Sequence, residues 1–176
     1  MLPKIHNGVF VFFVALLYSL MEIEMEGKDG WCKNLPTAKN VLASFTWYHI
    51  LMMVIIILIF YQTFQHLDIW MTVFYITSFF LIEDFLWFVF NPFYGINNYK
   101  QENIPWHKNW SAELPIENFV GLAIFIFTYI KTKFKTEHMN SLIYMGIGVA
   151  VAICLAPLYH VFYKKIRMSD KAHQTY

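Results

Sequence analysis

The hydrophobic residues of this chain fall into long continuous runs, and most polar residues lie between the runs. A helix that crosses a bilayer needs roughly 17 to 25 mainly apolar residues, and five runs approach or meet that length. They cover residues 8–21, 45–64, 69–90, 117–130 and 142–163. Because they do not alternate between apolar and polar positions, they predict helices and not the strands of a membrane barrel. We expect an all-α, polytopic membrane helix bundle, with residues 1–176 forming a single domain.

The first and fourth runs are the shortest, so the number of spans has an alternative. Each short run either tilts, extends into its polar flanks or lies in a thinned bilayer. The competing count has four spans and a first segment that acts like a secretory signal. Residues 18–22 lack the small-x-small pattern that a signal peptidase reads, so we expect this segment to stay as an uncleaved anchor.

The composition supports a membrane protein. Hydrophobic residues make up 58% of the chain and charged residues only 14%, which is too apolar for an ordinary soluble domain. The net charge of +1 predicts no nucleic-acid partner. Membrane lipids and an amphipathic small molecule are the partners we expect. In the last run, Gly146 with Ala150 and Gly148 with Ala152 form small-xxx-small pairs, which favour packing inside the bundle over a homodimer contact.

The positions of the basic residues predict an orientation, because alternate loops lie on the same side of the membrane. The first loop, the third loop and the C-terminal tail carry more of them than the other side. We therefore expect these three segments in the cytoplasm, although Lys4 and the fourth loop argue the other way. The residues counted on the favoured side are Lys28, Lys33, Lys39, Lys100, Lys108, Lys164, Lys165, Arg167 and Lys171.

Two adjacent acids, Glu83 and Asp84, interrupt the third run. An ionisable side chain at membrane depth costs about 2.5 kcal/mol or more, so it normally faces the protein interior and marks a functional site. Neighbouring residues lie about 100° apart around a helix, so the two carboxyl groups cannot point the same way. We expect Glu83 to face the site, with Trp87 one turn later. Asp84 is then free to pair with His49, His160 or a backbone donor of a loop.

The alternation of the spans brings several other polar residues to the same membrane face. Glu22 and Glu26 end the first span, and His49 begins the second. His107 belongs to the third loop, Glu117 begins the fourth span, and His160 lies near the end of the fifth. Every span can therefore deliver an acid or an imidazole to one polar cluster.

The third loop, between the third and fourth spans, is rich in aromatic residues. Asn91, Pro92 and Gly95 indicate a turn that ends the preceding helix. Trp106 and Trp110 are four residues apart, so a short helix or turn in the membrane interface would bury both rings on one side. Trp31, in the first loop, is a further large aromatic residue near the same face.

One functional hypothesis is a metal-dependent enzyme that acts on a lipid or another amphipathic substrate. Zinc binds imidazole and carboxylate ligands and activates a water molecule. The predicted metal ligands are Glu22, Glu26, His49, Glu83, His107 and His160. The predicted catalytic residues are Glu83, Asp84 and His107, and the predicted substrate-binding residues are Trp31, Trp87, Trp106 and Trp110. No known catalytic spacing supports the hypothesis, because the sequence has no HExxH motif and no nucleophile elbow.

Two other hypotheses account for the same residues, so the sequence does not decide whether the protein is an enzyme. In one, the acids and tryptophans bind a cationic or amphipathic small molecule, with or without proton-coupled transport. Five short spans without an internal repeat argue against a self-contained alternating-access transporter. In the other, the protein is a structural membrane subunit whose acids form salt bridges with lysines of the loops.

Overall fold

A computed structural model of the chain describes residues 6–27, 40–42, 45–104, 109–112, 114–132 and 136–172. Within these residues the chain forms five α-helices, which agrees with the predicted all-α bundle. They are α1 (Asn7–Glu26), α2 (Trp47–Phe64), α3 (Ile69–Phe90), α4 (Ile116–Lys131) and α5 (Thr136–Ala172).

Two small antiparallel hairpins, which the hydrophobic pattern does not predict, precede α2 and α4. The first pairs β1 (Asn40–Leu42) with β2 (Phe45–Thr46), and the second pairs β3 (Trp110–Ser111) with β4 (Leu114–Pro115). Two short 3₁₀ turns, Ile96–Asn98 and Gln101–Asn103, lie in the loop after α3. Strands this short show no periodicity in a sequence, which explains why the pattern misses them.

Four of the described helices are long and apolar enough to cross a membrane: α1, α2, α3 and residues Thr136–Ile166 of α5. These helices are consistent with an integral membrane protein. Helix α4 has 16 residues, which is short of the roughly 20 that a span requires. A fifth span and the side on which each loop lies therefore stay predictions.

Local side-chain chemistry determines where α1 and α3 begin and end. The His6 side chain accepts a hydrogen bond from the Gly8 N–H, and Asp68 accepts hydrogen bonds from two N–H groups in the first turn of α3. Helix α1 ends at Gly27, whose φ of 61° is in the region that favours glycine. Helix α3 ends at Phe90 and is capped by Asn91, directly before Pro92, in agreement with the predicted turn.

Helix α3 is the centre of the bundle and packs against each of the other four helices. Its aromatic side chains interlock with those of α2 in a core that is almost fully buried. In lipid, dispersion contacts and ring geometry replace the hydrophobic effect as the attraction between helices. The core residues Phe60, Phe64, Phe74, Tyr75 and Phe79 are each at most 1% exposed.

The small residues of α5 mediate one close helix contact. A Cβ atom added to Gly148 would lie 2.6 to 2.8 Å from ring atoms of Phe12 in α1, and Ala152 is buried on the same face. The Gly148 and Ala152 pair therefore packs inside the bundle, as predicted. Gly146 has open space where a Cβ would be, and Ala150 is exposed, so this second pair does not contribute to that contact.

Candidate functional site

One end of the bundle gathers the carboxyl groups, and we call it the acidic end. Helices α1 and α3 end there, α2 and α4 begin there, and α5 passes it. Side-chain contacts join these helices, among them His49 to Glu26 at 3.5 Å, Asn118 to Asp84 at 3.2 Å, and His160 to the Val89 carbonyl at 3.0 Å. The convergence of helix ends that the alternating spans predict is thus present.

A close pair of carboxyl groups lies at the acidic end. Glu22 of α1 and Glu83 of α3 lie beside each other; Glu83 is only 8% exposed, and Glu22 is half-buried. Glu83 precedes the end of α3 by seven residues, which places it roughly 10 Å inside the helix end at 1.5 Å per residue. Ionised carboxylates only accept hydrogen bonds, so a bond between the two groups requires that one of them keep a proton.

Tyr18 lies beside the pair formed by Glu22 and Glu83. It was not among the predicted site residues. It lies one turn before Glu22 on the same face of α1, and its hydroxyl lies near the Glu22 carboxyl. Its ring packs edge-on against Phe79, with 5.5 Å between ring centroids. The spacing of four residues between Tyr18 and Glu22 is the sequence signal that points to it.

Glu26 and His49 form a second contact at the same end. Thr46 and His49 make a capping box at the start of α2, in which the His49 Nδ1 accepts from the Thr46 backbone N–H at 3.4 Å. The ring then carries its proton on Nε2, the atom that lies 3.5 Å from Glu26 Oε1. Both ring nitrogens are engaged in protein contacts. His49 therefore holds the start of α2 against the end of α1.

Asp84 faces a different set of residues from Glu83, which agrees with the predicted divergence of the two acids. Its Oδ2 accepts from the Asn118 Nδ2 at 3.2 Å, and the same amide donates to the Tyr99 hydroxyl at 2.7 Å. Burial of the Tyr99 hydroxyl and the nearby Asp84 charge raise the pKa of Tyr99 above its ordinary value. Asn118 is a partner of Asp84 in addition to those predicted, which were His49, His160 or a backbone donor of a loop.

The structure gives no support to a metal centre in the part of the chain that it describes. There, no group of three or more His, Cys, Asp or Glu residues is arranged to hold an ion. His49 uses the Nδ1 lone pair in its cap, and His160 donates from Nε2 to the Val89 carbonyl. His107, another predicted ligand, lies outside the described residues, so the predicted metal set is tested only in part.

The four predicted substrate-binding tryptophans have different outcomes. Trp31 and Trp106 lie outside the described residues. Trp87 is buried among rings, with its centroid 4.9 Å from that of Phe88 and 5.3 Å from that of Tyr94. Trp110 lies in strand β3 instead of the predicted helix or turn, because it pairs with Pro115 and the chain reverses at Ala112, whose φ is 46°.

The chain was compared with known families and structures, and no protein-family model, curated protein or solved structure matches it.

Proposed function

We propose that Glu22 and Glu83 form a proton-exchanging site in a multi-pass membrane protein, and that the site binds a small organic cation when it releases its proton. The observation that carries this proposal is the close approach of two carboxyl groups from different helices, Glu22 of α1 and Glu83 of α3. A pair of this kind has two stable states in a membrane. It either shares one proton or holds a cation between two carboxylates.

The described surroundings of the pair contain no basic partner. Among the described residues, neither Glu22 nor Glu83 forms an ion pair with a lysine or arginine, and both carboxyl groups lie near Tyr18. Lys28, Lys33 and Lys108, the loop lysines that a structural subunit would pair with these acids, lie outside the described residues. The aromatic ring of Tyr18 adds a surface on which an organic cation can rest.

The geometry favours this function over the metal-dependent enzyme. The described acids and imidazoles do not form a metal-holding group, and both nitrogens of His49 are already used. A water-activating ion needs at least three protein ligands and an open position. The acid pair needs only the two residues that the structure brings together.

Binding of an aromatic cation to the purified protein tests the proposal. Ethidium fluorescence is titrated with wild type, Glu83→Gln and Glu22→Gln in lipid nanodiscs between pH 5 and pH 9. We expect wild type to bind more tightly as the pH rises and to release about one proton for each cation bound, because the proton and the cation compete for the carboxylates. Glu83→Gln should lose both the pH dependence and the proton release.

Glu24→Gln provides the matched control, because Glu24 is an exposed acid on the same helix. It should bind ethidium like wild type. Infrared spectra of the unliganded protein give a measurement that needs no ligand, since a protonated carboxyl group has its own C=O band. Loss of that band in Glu83→Gln is expected. The proposal is wrong if wild type shows no such band at pH 5 and releases no proton on binding.

A further inference from the structure

A second site lies outside the acid pair, in a cleft between the end of α3, the loop that follows it and α5. The cleft has a volume of about 440 Å³. Ligand sites in proteins are usually concave, mostly apolar and about 300 to 1,000 Å³ in volume, with a few well-placed polar groups. Among the described residues that line this cleft none carries an acid, a lysine or an arginine.

The cleft wall combines apolar and polar uncharged groups. Ile153, Ala156 and Pro157 of α5 are apolar, as is Ile96 of the 3₁₀ turn that follows α3. Asn97 of the same turn, which is exposed, adds a polar group. A molecule that fits this lining has an apolar body and a polar, uncharged head.

His160 is the imidazole in this cleft, and its orientation is fixed by one hydrogen bond. A carbonyl oxygen only accepts, so the 3.0 Å contact with the Val89 carbonyl means that Nε2 of His160 carries a proton. The Val89 carbonyl is in the last turn of α3, where carbonyl groups lack intrahelical partners. In the neutral ring Nδ1 is then an acceptor, and among the described residues no hydrogen bond to it is found.

Gly95 of the loop lies beside the His160 ring. Its φ of 67° favours glycine, and a Cβ built there would be in ordinary van der Waals contact, at 4.0 Å, with Cε1 of His160, the atom between the two ring nitrogens. A hydroxyl group suits a position beside Nδ1, because it donates to that nitrogen and keeps its own lone pairs for a donor such as a side-chain amide.

We propose that this cleft binds an uncharged glycerolipid with a free hydroxyl, of the diacylglycerol class, whose hydroxyl donates to Nδ1 of His160 while an acyl chain lies against Ile153 and Ala156. The absence of charge among the described lining residues distinguishes this ligand from a phospholipid with an anionic head. The site is independent of the Glu22 and Glu83 pair.

Photolabelling of the full chain in nanodiscs tests the site with a defined probe. The probe is a diacylglycerol that carries a diazirine on one acyl chain, and mass spectrometry locates the labelled peptide. We expect labelling in residues 92–98 or in α5 near Ile153. A phosphatidate with the same labelled chain should label these segments less, because none of the described residues that line the cleft is a cation.

Three variants distinguish labelling by a lipid bound in the cleft from labelling by lipid that merely surrounds the bundle. Ile153→Trp fills the cleft and should abolish labelling, whereas Val151→Trp places the same ring at an exposed position on the same helix and should leave it unchanged. His160→Phe should reduce labelling about fivefold, the ratio that one neutral hydrogen bond gives. A circular dichroism melt establishes that each variant is folded.

Two results would overturn the assignment. Equal labelling by the diacylglycerol and the phosphatidate, unchanged by Ile153→Trp, would mean ordinary lipid contact with the bundle. Complete competition by free glycerol would mean that the cleft recognises a soluble polyol instead of a lipid. Little competition by glycerol is the expected result, because glycerol lacks the chain that contacts the apolar wall.

Discussion

Glu83 and Asp84 are neighbours in α3, yet their carboxyl groups serve different contacts. Glu83 meets the acid Glu22 of α1, while Asp84 accepts a hydrogen bond from the amide of Asn118 in α4. One acid thus lies beside another carboxyl group, and the other connects two helices. The divergence follows from the 100° rotation between successive helical residues.

Amide substitutions of these two acids should therefore have opposite effects on stability. Glu83→Gln removes one of two facing carboxyl groups and keeps a hydrogen-bond donor for Glu22. We expect the free energy of unfolding to stay the same or rise by up to about 1 kcal/mol. Asp84→Asn weakens a charge-assisted hydrogen bond and should lower the free energy of unfolding by about 1 kcal/mol.

Reversible unfolding in mixed detergent micelles measures both variants against wild type at neutral pH. Glu102→Gln, at an exposed position of the loop after α3, is a control that should change stability by less than about 0.5 kcal/mol. Equal losses for Glu83→Gln and Asp84→Asn would contradict the division of roles.

The sequence predicts the convergence at the acidic end because that convergence depends only on the order and number of the helices. Alternating spans must bring the end of α1, the start of α2 and the end of α3 together. The helical rotation also separates Glu83 from Asp84. These inferences need no knowledge of how far each helix is turned about its own axis.

The partners of individual side chains depend on that rotation, so the sequence does not show them. Asn118 reaches Asp84 because α4 packs antiparallel against α3 with Gly121 close to Leu81, where an added Cβ would lie 3.0 Å from a Leu81 methyl group. His160 of α5 donates to the Val89 carbonyl, a partner that the sequence does not indicate. Both outcomes follow from packing among residues far apart in the chain.

Two glycines of α5 offer a matched test of the close contact with α1. Gly148→Ala forces a methyl group against the Phe12 ring, at 2.6 to 2.8 Å from its atoms. We expect a loss of about 1 to 3 kcal/mol from overpacking. Gly146→Ala meets open space and should raise stability by up to about 1 kcal/mol, because alanine is the better helix former.

The same unfolding assay distinguishes the two alanine variants, and their effects should differ in sign. If both stabilise the protein, Phe12 moves aside at little cost and the close contact is not a constraint. If both destabilise it, the Gly146 face is also packed.

Tyr99 should make stability fall at alkaline pH. Its pKa is raised in the folded protein by burial and by the Asp84 charge, so above about pH 10 the unfolded chain loses a proton that the folded chain keeps. The folded state then binds more protons, and the free energy of unfolding decreases as the pH rises, by up to about 1.4 kcal/mol per pH unit for this one group.

Tyr99→Phe should remove this contribution to the pH dependence of the free energy of unfolding. Near pH 7 the variant should have a free energy of unfolding about 1 kcal/mol lower, because it lacks the hydrogen bond from Asn118. Unfolding measured from pH 8 to pH 11 in wild type, Tyr99→Phe and Tyr61→Phe tests this expectation. Tyr61 is exposed on α2, and its variant should keep the slope of wild type. If the free energy of unfolding of Tyr99→Phe falls with pH as steeply as that of wild type, other groups cause the loss of stability at alkaline pH.

Asn91 should be one of the most sensitive positions at the acidic end, because a single buried side chain joins the ends of α1 and α3. It is fully buried, its Nδ2 donates to the Gly27 carbonyl at 3.1 Å, and its Oδ1 accepts from the Phe93 N–H at 3.1 Å. Asn91→Ala leaves both backbone groups without this partner and should lower the free energy of unfolding by about 2 to 4 kcal/mol.

Asn91→Asp keeps one of the two contacts and removes the other. A carboxylate still accepts a hydrogen bond from the Phe93 N–H but cannot donate one to the Gly27 carbonyl. Its oxygen then faces the Gly27 carbonyl, so we expect a loss comparable to that of the alanine variant in spite of the smaller change in shape. Asn140→Ala, at an exposed position of α5, is the control and should change stability by less than about 0.5 kcal/mol. Full stability of Asn91→Asp would mean that the link from α3 to Gly27 contributes nothing, and that the Phe93 contact alone holds the end of α3.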